Sequence, residues 1–142
     1  MKFRVLAFTL ILIGSADASA ACVVVLRHDG VQLRYTAEIA ETPAARSRGL
    51  MYRKQLLPRH GMWFDFGRDV AVMMWMKNTL IALDMLFVDR HGELISIEHG
   101  VPLSEERISA PKPVRYVFEI NAGAADAMNI RRGDRLLLGR GC

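Results

Sequence analysis

The residues that could do chemistry lie around the sequence MMWMKNT, residues 73–79. Four large apolar side chains lead into an ammonium, an amide and a hydroxyl: Lys77, Asn78 and Thr79. Such a set beside Trp75 could hold a carboxylate, a phosphate or a peptide end. The other interpretation is a buried strand that ends in polar residues, whose side chains hydrogen-bond the turning backbone.

Two carboxylates that interrupt apolar runs are the candidate catalytic groups. Asp84 lies within IALDMLF and Asp65 lies within WFDF. A buried carboxylate needs a partner, so the simplest role for Asp84 is a backbone cap or a salt bridge, for example with Lys77. If Asp65 and Asp84 converged, one of them could have a raised pKa and transfer a proton.

A basic stretch lies between Glu41 and Asp65, with no acid inside it. One interpretation is a solvated face; the other is a surface for lipid headgroups, an anionic envelope polymer or an acidic partner. The basic stretch consists of Arg46, Arg48, Arg53, Lys54 and Arg59. The candidate ligand-binding residues are Arg53, Trp75, Lys77, Asn78, Thr79 and Asp84.

Other site chemistries find no support in the sequence. The four histidines show no metal-ligand spacing, so we expect no metal and no cofactor. No nucleophile elbow, P-loop or dinucleotide glycine pattern is present. We do not expect nucleic acid as a partner, because no aromatic and basic platform stands out.

The first twenty residues predict export. Two basic residues precede an apolar run at 5–13, and small residues at 18–20 offer a cleavage site. This order is typical of a signal peptide over residues 1–20, followed by a single globular domain over 21–142. We therefore expect a periplasmic or extracellular protein without a further transmembrane segment. A buried N-terminal helix is the alternative.

The two cysteines, Cys22 and Cys142, lie at the two ends of the expected mature chain. In an oxidising compartment an even pair favours a disulfide. A lipidated Cys22 is an alternative, although Ser19 stands where lipidation needs an aliphatic residue. Free thiols and an intermolecular bridge also stay open.

Alternating and turn patterns predict a mainly β fold (α+β), a mostly antiparallel barrel-like or rolled sheet with two short helices. Thr42 and Pro43 are expected to begin a helix that ends at Arg48, and Asn121 to cap a second one over 122–128. Residues 100–113 predict a long loop. The predicted strands are residues 23–26, 31–39, 62–66, 70–76, 83–88, 93–98, 114–120 and 135–138.

Four stretches resemble a known family in their order and spacing. They are ETPAARSRGLMYRKQL (41–56), GMWFDF (61–66), MMWMKNTLIALDMLFVDRHGEL (73–94) and FEINAGAADAMNIRRGD (118–134). The chain resembles the domain of unknown function 192 family over about residues 31–138. The resemblance implies a compact β-rich fold and supplies no reaction. Met74 replaces the aromatic residue that the family usually carries before the tryptophan, which weakens any stacking argument there.

Three functional hypotheses follow from these observations. The first is an exported, non-catalytic binding or accessory module that holds a small anionic ligand or a peptide at residues 75–79. The second is a hydrolase or lyase that uses Asp84 or Asp65 with Lys77. The third is a structural envelope protein that partners recognise through the basic stretch.

Overall fold

The structure is a computed structural model that describes residues 20–142. The expected signal peptide lies outside these residues, except for residue 20. Seven strands and two helices follow one another along the described chain. They are β1 (Ala21–Leu26), β2 (Gln32–Ala40), α1 (Pro43–Arg48), β3 (His60–Val70), β4 (Leu83–Val88), β5 (Leu94–Gly100), β6 (Val114–Asn121), α2 (Ala124–Ala127) and β7 (Arg135–Arg140).

The seven strands form one curled sheet in the order β5-β4-β6-β3-β2-β1-β7. Only β2 and β3 pair in parallel, and every other neighbouring pair is antiparallel. The two edges meet where Glu93 bridges Arg135 and the Leu94 amide donates to the Asp134 carbonyl at 2.8 Å. The expected mainly β, mostly antiparallel fold with two short helices is therefore confirmed.

The sheet buries apolar side chains on both faces because residues alternate across it. One cluster draws on all seven strands and contains Val23, Tyr35, Trp63, Leu86, Leu94, Phe118 and Leu136. A second cluster occupies the other face of the central strands and contains Met62, Phe64, Met85 and Val117. We call its face the outer face. Loop residues Leu50, Val72 and Met76 close the second cluster from above.

The predicted strand over 70–76 is wrong. Instead β3 continues through residues 67–69 to Val70, with a register shift after Asp65. Residues 71–82 form a loop whose one β-bridge in the described chain pairs Met74 with Ile108. The apolar residues of this loop pack against the core individually, without pairing to a neighbouring strand. An apolar run therefore does not by itself indicate a strand here.

The start of α2 also differs from the expectation. Asn121 ends β6, and its amide nitrogen donates to the Leu56 carbonyl at 2.9 Å. Gly123 occupies the N-cap position with φ +80° and has no side chain to offer. The cap hydrogen bond comes from a distant strand, because Asp84 on β4 accepts from the Ala125 amide.

Two local expectations are confirmed. The Thr42 hydroxyl accepts a hydrogen bond from the Ala45 amide at 3.1 Å and caps α1. Cys22 and Cys142 form a disulfide across a sequence separation of 120 residues. Within residues 20–142, no helix has the length and apolar character needed to cross a membrane.

Candidate functional site

A cavity of about 450 Å³ lies over the outer face of the sheet, and we call it the Glu119 pocket. One wall is α1 with the turn that follows it, and the opposite wall is part of the 71–82 loop. The sheet supplies the floor through Phe64, Phe66 and Glu119. The remaining lining residues are Pro43, Arg46, Ser47, Arg48, Gly49, Leu50, Met51, Met73, Met74, Trp75 and Thr79.

The carboxyl group of Glu119 is the unusual feature of this pocket. Glu119 stands in register between Met62 on β3 and Met85 on β4, and it is only 4% exposed. Within residues 20–142 no protein group hydrogen-bonds the carboxyl. Burial alone raises the pKa of Glu119 to about 8. The group is therefore mostly protonated at neutral pH and can donate one hydrogen bond and accept others.

The α1 wall is held tightly against the sheet. A side chain at Gly49 would place its Cβ 3.2 Å from the ring of Phe64, so the helix end packs closely on β3. The Arg46 guanidinium donates to the Glu41 and Asp65 carbonyls, the latter at 2.9 Å, and is thereby fixed in place. Arg48 is exposed, and no acid among residues 20–142 pairs with it, so its charge is available at the pocket mouth.

The opposite wall is anchored by Met76 and Thr79. Met76 is fully buried, and its sulfur lies where a side chain at Gly100 would place its Cβ. Thr79 is buried as well, and its hydroxyl donates to the Lys77 carbonyl at 3.3 Å. Trp75, directly before Met76, lines the pocket while 46% of its surface stays exposed. The 71–82 loop is therefore fixed at Met76 and Thr79 and carries an accessible aromatic side chain beside them.

Of the six candidate ligand-binding residues, only Trp75 and Thr79 line the Glu119 pocket. Lys77 lies over the Trp75 ring at 5.1 Å and pairs with Glu105 at 3.5 Å. Asn78 adopts φ +54°, and its carbonyl accepts from the Tyr52 amide. Its backbone thus shapes the turn after Trp75 and Lys77.

Arg53 lines a different cavity of about 240 Å³. There both terminal nitrogens of its guanidinium donate to the Glu38 carboxylate, and this hydrogen bonding lowers the pKa of Glu38. Arg59 lies over the ring of Tyr35 at 5.3 Å in a third cavity. The arginines of the basic stretch therefore line three different cavities, and only the first two of them line the Glu119 pocket.

Asp84 has structural partners inside the fold. It is fully buried; its Oδ2 accepts from the Ala125 amide at 3.0 Å, and its Oδ1 lies 2.8 Å from His99 Nδ1. Asp134 repeats this arrangement with His28, at 3.0 Å, while also accepting from backbone amides. Because neither aspartate lines a described cavity, both pairs act as caps that fix the chain.

Asp65, the second candidate catalytic residue, has a different partner from Asp84. Although burial opposes it, the hydrogen bonds from Arg115, at 3.1 and 3.2 Å, lower the pKa of Asp65. The structure thus gives Asp65, Asp84 and Lys77 separate partners and does not bring them together.

Sequence reasoning missed Glu119, although a signal was present. Glu119 stands between Phe118 and Ile120 in the predicted strand 114–120, as Asp84 stands between leucine and methionine. The argument at Asp84 was that a carboxylate within an apolar strand needs a partner, and the same argument applies to Glu119. The pattern alone did not reveal which of the two faces a cavity.

Comparison with known protein families identifies the family of this chain. The model of the domain of unknown function 192 family, described as Uncharacterized ACR, matches residues 24–138. The chain belongs to this family. The resemblance in the sequence is thereby confirmed, and the matched residues include every wall of the Glu119 pocket.

Relatives of the domain of unknown function 192 chain include one curated protein and two solved structures. The UPF0127 protein of Pyrococcus furiosus is 26% identical over 110 residues, which cover 75% of this chain and 90% of the relative. A candidate transcription regulator from Sinorhizobium meliloti 1021 has a TM-score of 0.81 at 45% identity, covering 84% of this chain and 95% of that one. A protein of unknown function from Novosphingobium aromaticivorans DSM 12444 has a TM-score of 0.78 at 33% identity, covering 82% and 83%.

Proposed function

We propose that this protein is an exported, non-catalytic binding module whose Glu119 pocket holds a small anionic ligand or a peptide end. The observation that carries the proposal is the Glu119 carboxyl, buried without a protein partner at the floor of a cavity of about 450 Å³. A protonated carboxyl that faces a cavity without a protein partner offers one donor and further acceptors to a ligand that enters the cavity. Export is supported by the N-terminal pattern and by the disulfide.

The walls of the pocket indicate the chemistry of the ligand. Phe64, Phe66 and Trp75 offer aromatic surface for an apolar body. Arg48 places a cation at the mouth, where a carboxylate or phosphate would pair with it. The protonated Glu119 would donate to an oxygen of the same ligand. A small amphipathic carboxylate fits all of these groups.

Binding of three amphipathic carboxylates tests the proposal: hexanoate, benzoate and N-acetyl-leucine, each compared with its methyl ester. We expect at least one acid to raise the melting temperature and to bind in calorimetry, because a ligand of the folded state stabilises it. The ester should bind at least fivefold more weakly, since it lacks the charge that Arg48 would pair with.

Variants separate the pocket from non-specific binding. Arg48→Ala should weaken binding of the acid about tenfold and leave the ester unaffected, while Arg34→Ala, an exposed arginine outside the pocket, should change neither. Glu119→Leu fills the floor with an apolar group and should abolish binding. If none of the acids binds, or if Glu119→Leu binds as the wild type does, the proposal is overturned.

An enzyme that uses Asp84 or Asp65 with Lys77 finds less support, because these groups lie with separate partners. The name of the Sinorhizobium relative raises a different possibility, the regulation of transcription. The helices of residues 20–142 have six and four residues, short for a recognition helix in a major groove. We expect no anisotropy change with duplex DNA at 150 mM salt, and saturable binding there would favour the regulator instead.

A further inference from the structure

A group of exposed apolar side chains lies on loop segments that include or hydrogen-bond residues lining the Glu119 pocket, and we call this group the apolar rim; Met73 and Trp75 also line the pocket. Its six members come from three loop segments and are Tyr52, Met73, Trp75, Leu80, Val101 and Leu103. Each is at least 44% exposed, and Val101 reaches 66%. Exposed apolar side chains that lie on neighbouring segments mark an interaction site more often than isolated exposed residues do.

Backbone hydrogen bonds tie the three segments together. The Tyr52 amide donates to the Asn78 carbonyl at 2.9 Å, and the Leu103 amide donates to the Thr79 carbonyl at 3.0 Å. The bridge between Met74 and Ile108 adds a further link. The apolar rim is therefore one fixed surface.

Two bulky, exposed members of the apolar rim, Tyr52 and Leu103, have an unfavourable backbone conformation. Among residues 20–142, five non-glycine residues have positive φ, and three of them lie in these segments: Tyr52 (65°), Asn78 (54°) and Leu103 (65°). A bulky side chain at positive φ is unfavourable, and strain of this kind tends to gather at functional sites. Leu103 is also 59% exposed, so burial within the fold offsets little of this cost.

Positive charge accompanies the apolar rim. The residues 46–54, 73–80 and 101–108 contain six bases, Arg46, Arg48, Arg53, Lys54, Lys77 and Arg107, and two acids, Glu105 and Glu106. The rest of residues 20–142 contains 11 bases and 12 acids. The net positive charge of the described chain therefore lies around the apolar rim, although Glu38 pairs with Arg53 and Glu105 with Lys77.

We propose that the apolar rim docks the protein onto the surface of an anionic phospholipid membrane. Exposed Trp and Tyr side chains are favoured at the headgroup level, where their apolar bodies are buried and their polar atoms stay wet. Lysine and arginine beside them attract anionic headgroups. A protein partner that adds a strand is less favoured, because the edges of the sheet are joined. The net positive charge of the rim segments matches an anionic lipid surface.

Co-sedimentation with vesicles tests this inference. The protein should begin at Ala21, which keeps every described element and removes the apolar run at 5–13, because that run would bind lipid by itself. We expect binding to vesicles of 30% phosphatidylglycerol in phosphatidylcholine at 50 mM salt. Binding should fall at least fivefold at 300 mM salt and on pure phosphatidylcholine.

Leu103→Asn separates docking from a structural role. Asparagine tolerates positive φ, so the variant should unfold at the same or a higher urea concentration than the wild type. Its vesicle affinity should nevertheless fall about tenfold, because an apolar anchor is lost. Val101→Gln should weaken binding in the same direction, while Leu138→Asn, an exposed leucine on β7 outside the apolar rim, should have no effect.

Three outcomes would overturn the inference: no binding to phosphatidylglycerol vesicles at low salt, full binding by Leu103→Asn, or destabilisation of that variant. Capture of a protein partner by the apolar rim without vesicle binding would assign the surface to a protein interface instead. Neither Leu103 nor Val101 lines the Glu119 pocket. Carboxylate binding by both variants therefore tests the proposed function separately.

Discussion

At the scale of single residues, a carboxyl group within an apolar strand has two different outcomes in this protein. Asp84 is buried and fully partnered, so it holds α2 and His99 in place. Glu119 is buried without a partner, and it avoids the cost of an isolated charge by staying protonated. The identity of the neighbours, rather than burial itself, separates a structural carboxylate from a group that is free to meet a ligand.

Glu119→Gln should change how stability depends on pH. The folded pKa lies near 8, above the ordinary value of 4.5, so between these values the unfolded chain has released a proton that the folded protein retains. The stabilisation is fully present below about pH 4.5, and the free energy of unfolding then falls on the order of 3–5 kcal/mol up to pH 8.

Urea unfolding of both proteins at pH 4, 6 and 8 measures this contribution. Glutamine does not titrate, so the difference between wild type and variant should grow in favour of the variant as the pH rises. Subtraction removes the contributions of the histidines and the other carboxylates. Parallel curves for the two proteins would show that Glu119 has an ordinary pKa in the fold.

At the scale of elements, the pocket depends on pieces too short to be stable alone. The helix α1 has six residues and buries none of them, so its cap and the close contact of Gly49 with Phe64 hold it against the sheet. The 71–82 loop similarly depends on Met76, which is buried beside Gly100. Both walls of the pocket are therefore loops and turns fixed by a few contacts with a stable sheet.

Removal of the Thr42 hydroxyl should loosen the α1 wall. Thr42→Ala leaves the Ala45 amide without its acceptor and should lower the free energy of unfolding by about 1 kcal/mol. Urea unfolding measures this loss, and hydrogen exchange should increase at residues 45–48. Thr42→Ser keeps the acceptor and serves as the matched control. Equal stability of the alanine and serine variants would contradict a capping role.

At the scale of the whole molecule, two links join distant parts of the chain. The bridge between Glu93 and Arg135 joins the two edges of the sheet, and the disulfide joins β1 to the C-terminal residue after the neighbouring strand β7. The second link spans nearly the whole described chain, so it restricts the unfolded state more than a short loop would.

Replacement of both cysteines by alanine should lower the free energy of unfolding by roughly 5 kcal/mol in the chain-entropy model, because the two cysteines are 120 residues apart. Urea unfolding measures this loss. A reducing agent should shift the wild type to the same midpoint and leave the double variant unchanged. An unchanged midpoint in the double variant would mean that the remaining contacts already restrict the chain ends.

Local patterns in the sequence were sufficient for most of the elements. Alternation predicted β2, the apolar runs at 83–88 and 93–98 predicted β4 and β5, and the Thr-Pro pair predicted the start of α1. These signals succeed because neighbouring residues decide strands, tight turns and helix caps. The two cysteines and the family motifs likewise indicated the disulfide and the β-rich fold before any coordinates.

Only the tertiary structure decided the site. The run at 73–76 has the apolar character of a strand, yet it became a loop because contacts with distant residues, Ile108 and Gly100, hold it. The same applies to the two carboxylates. One partner of Asp84, the Ala125 amide, comes from α2, 41 residues away. The cavity at Glu119 is formed by walls from three segments. Spacing along the chain carries no information about such long-range neighbours, whereas it does determine the local geometry of strands, turns and caps.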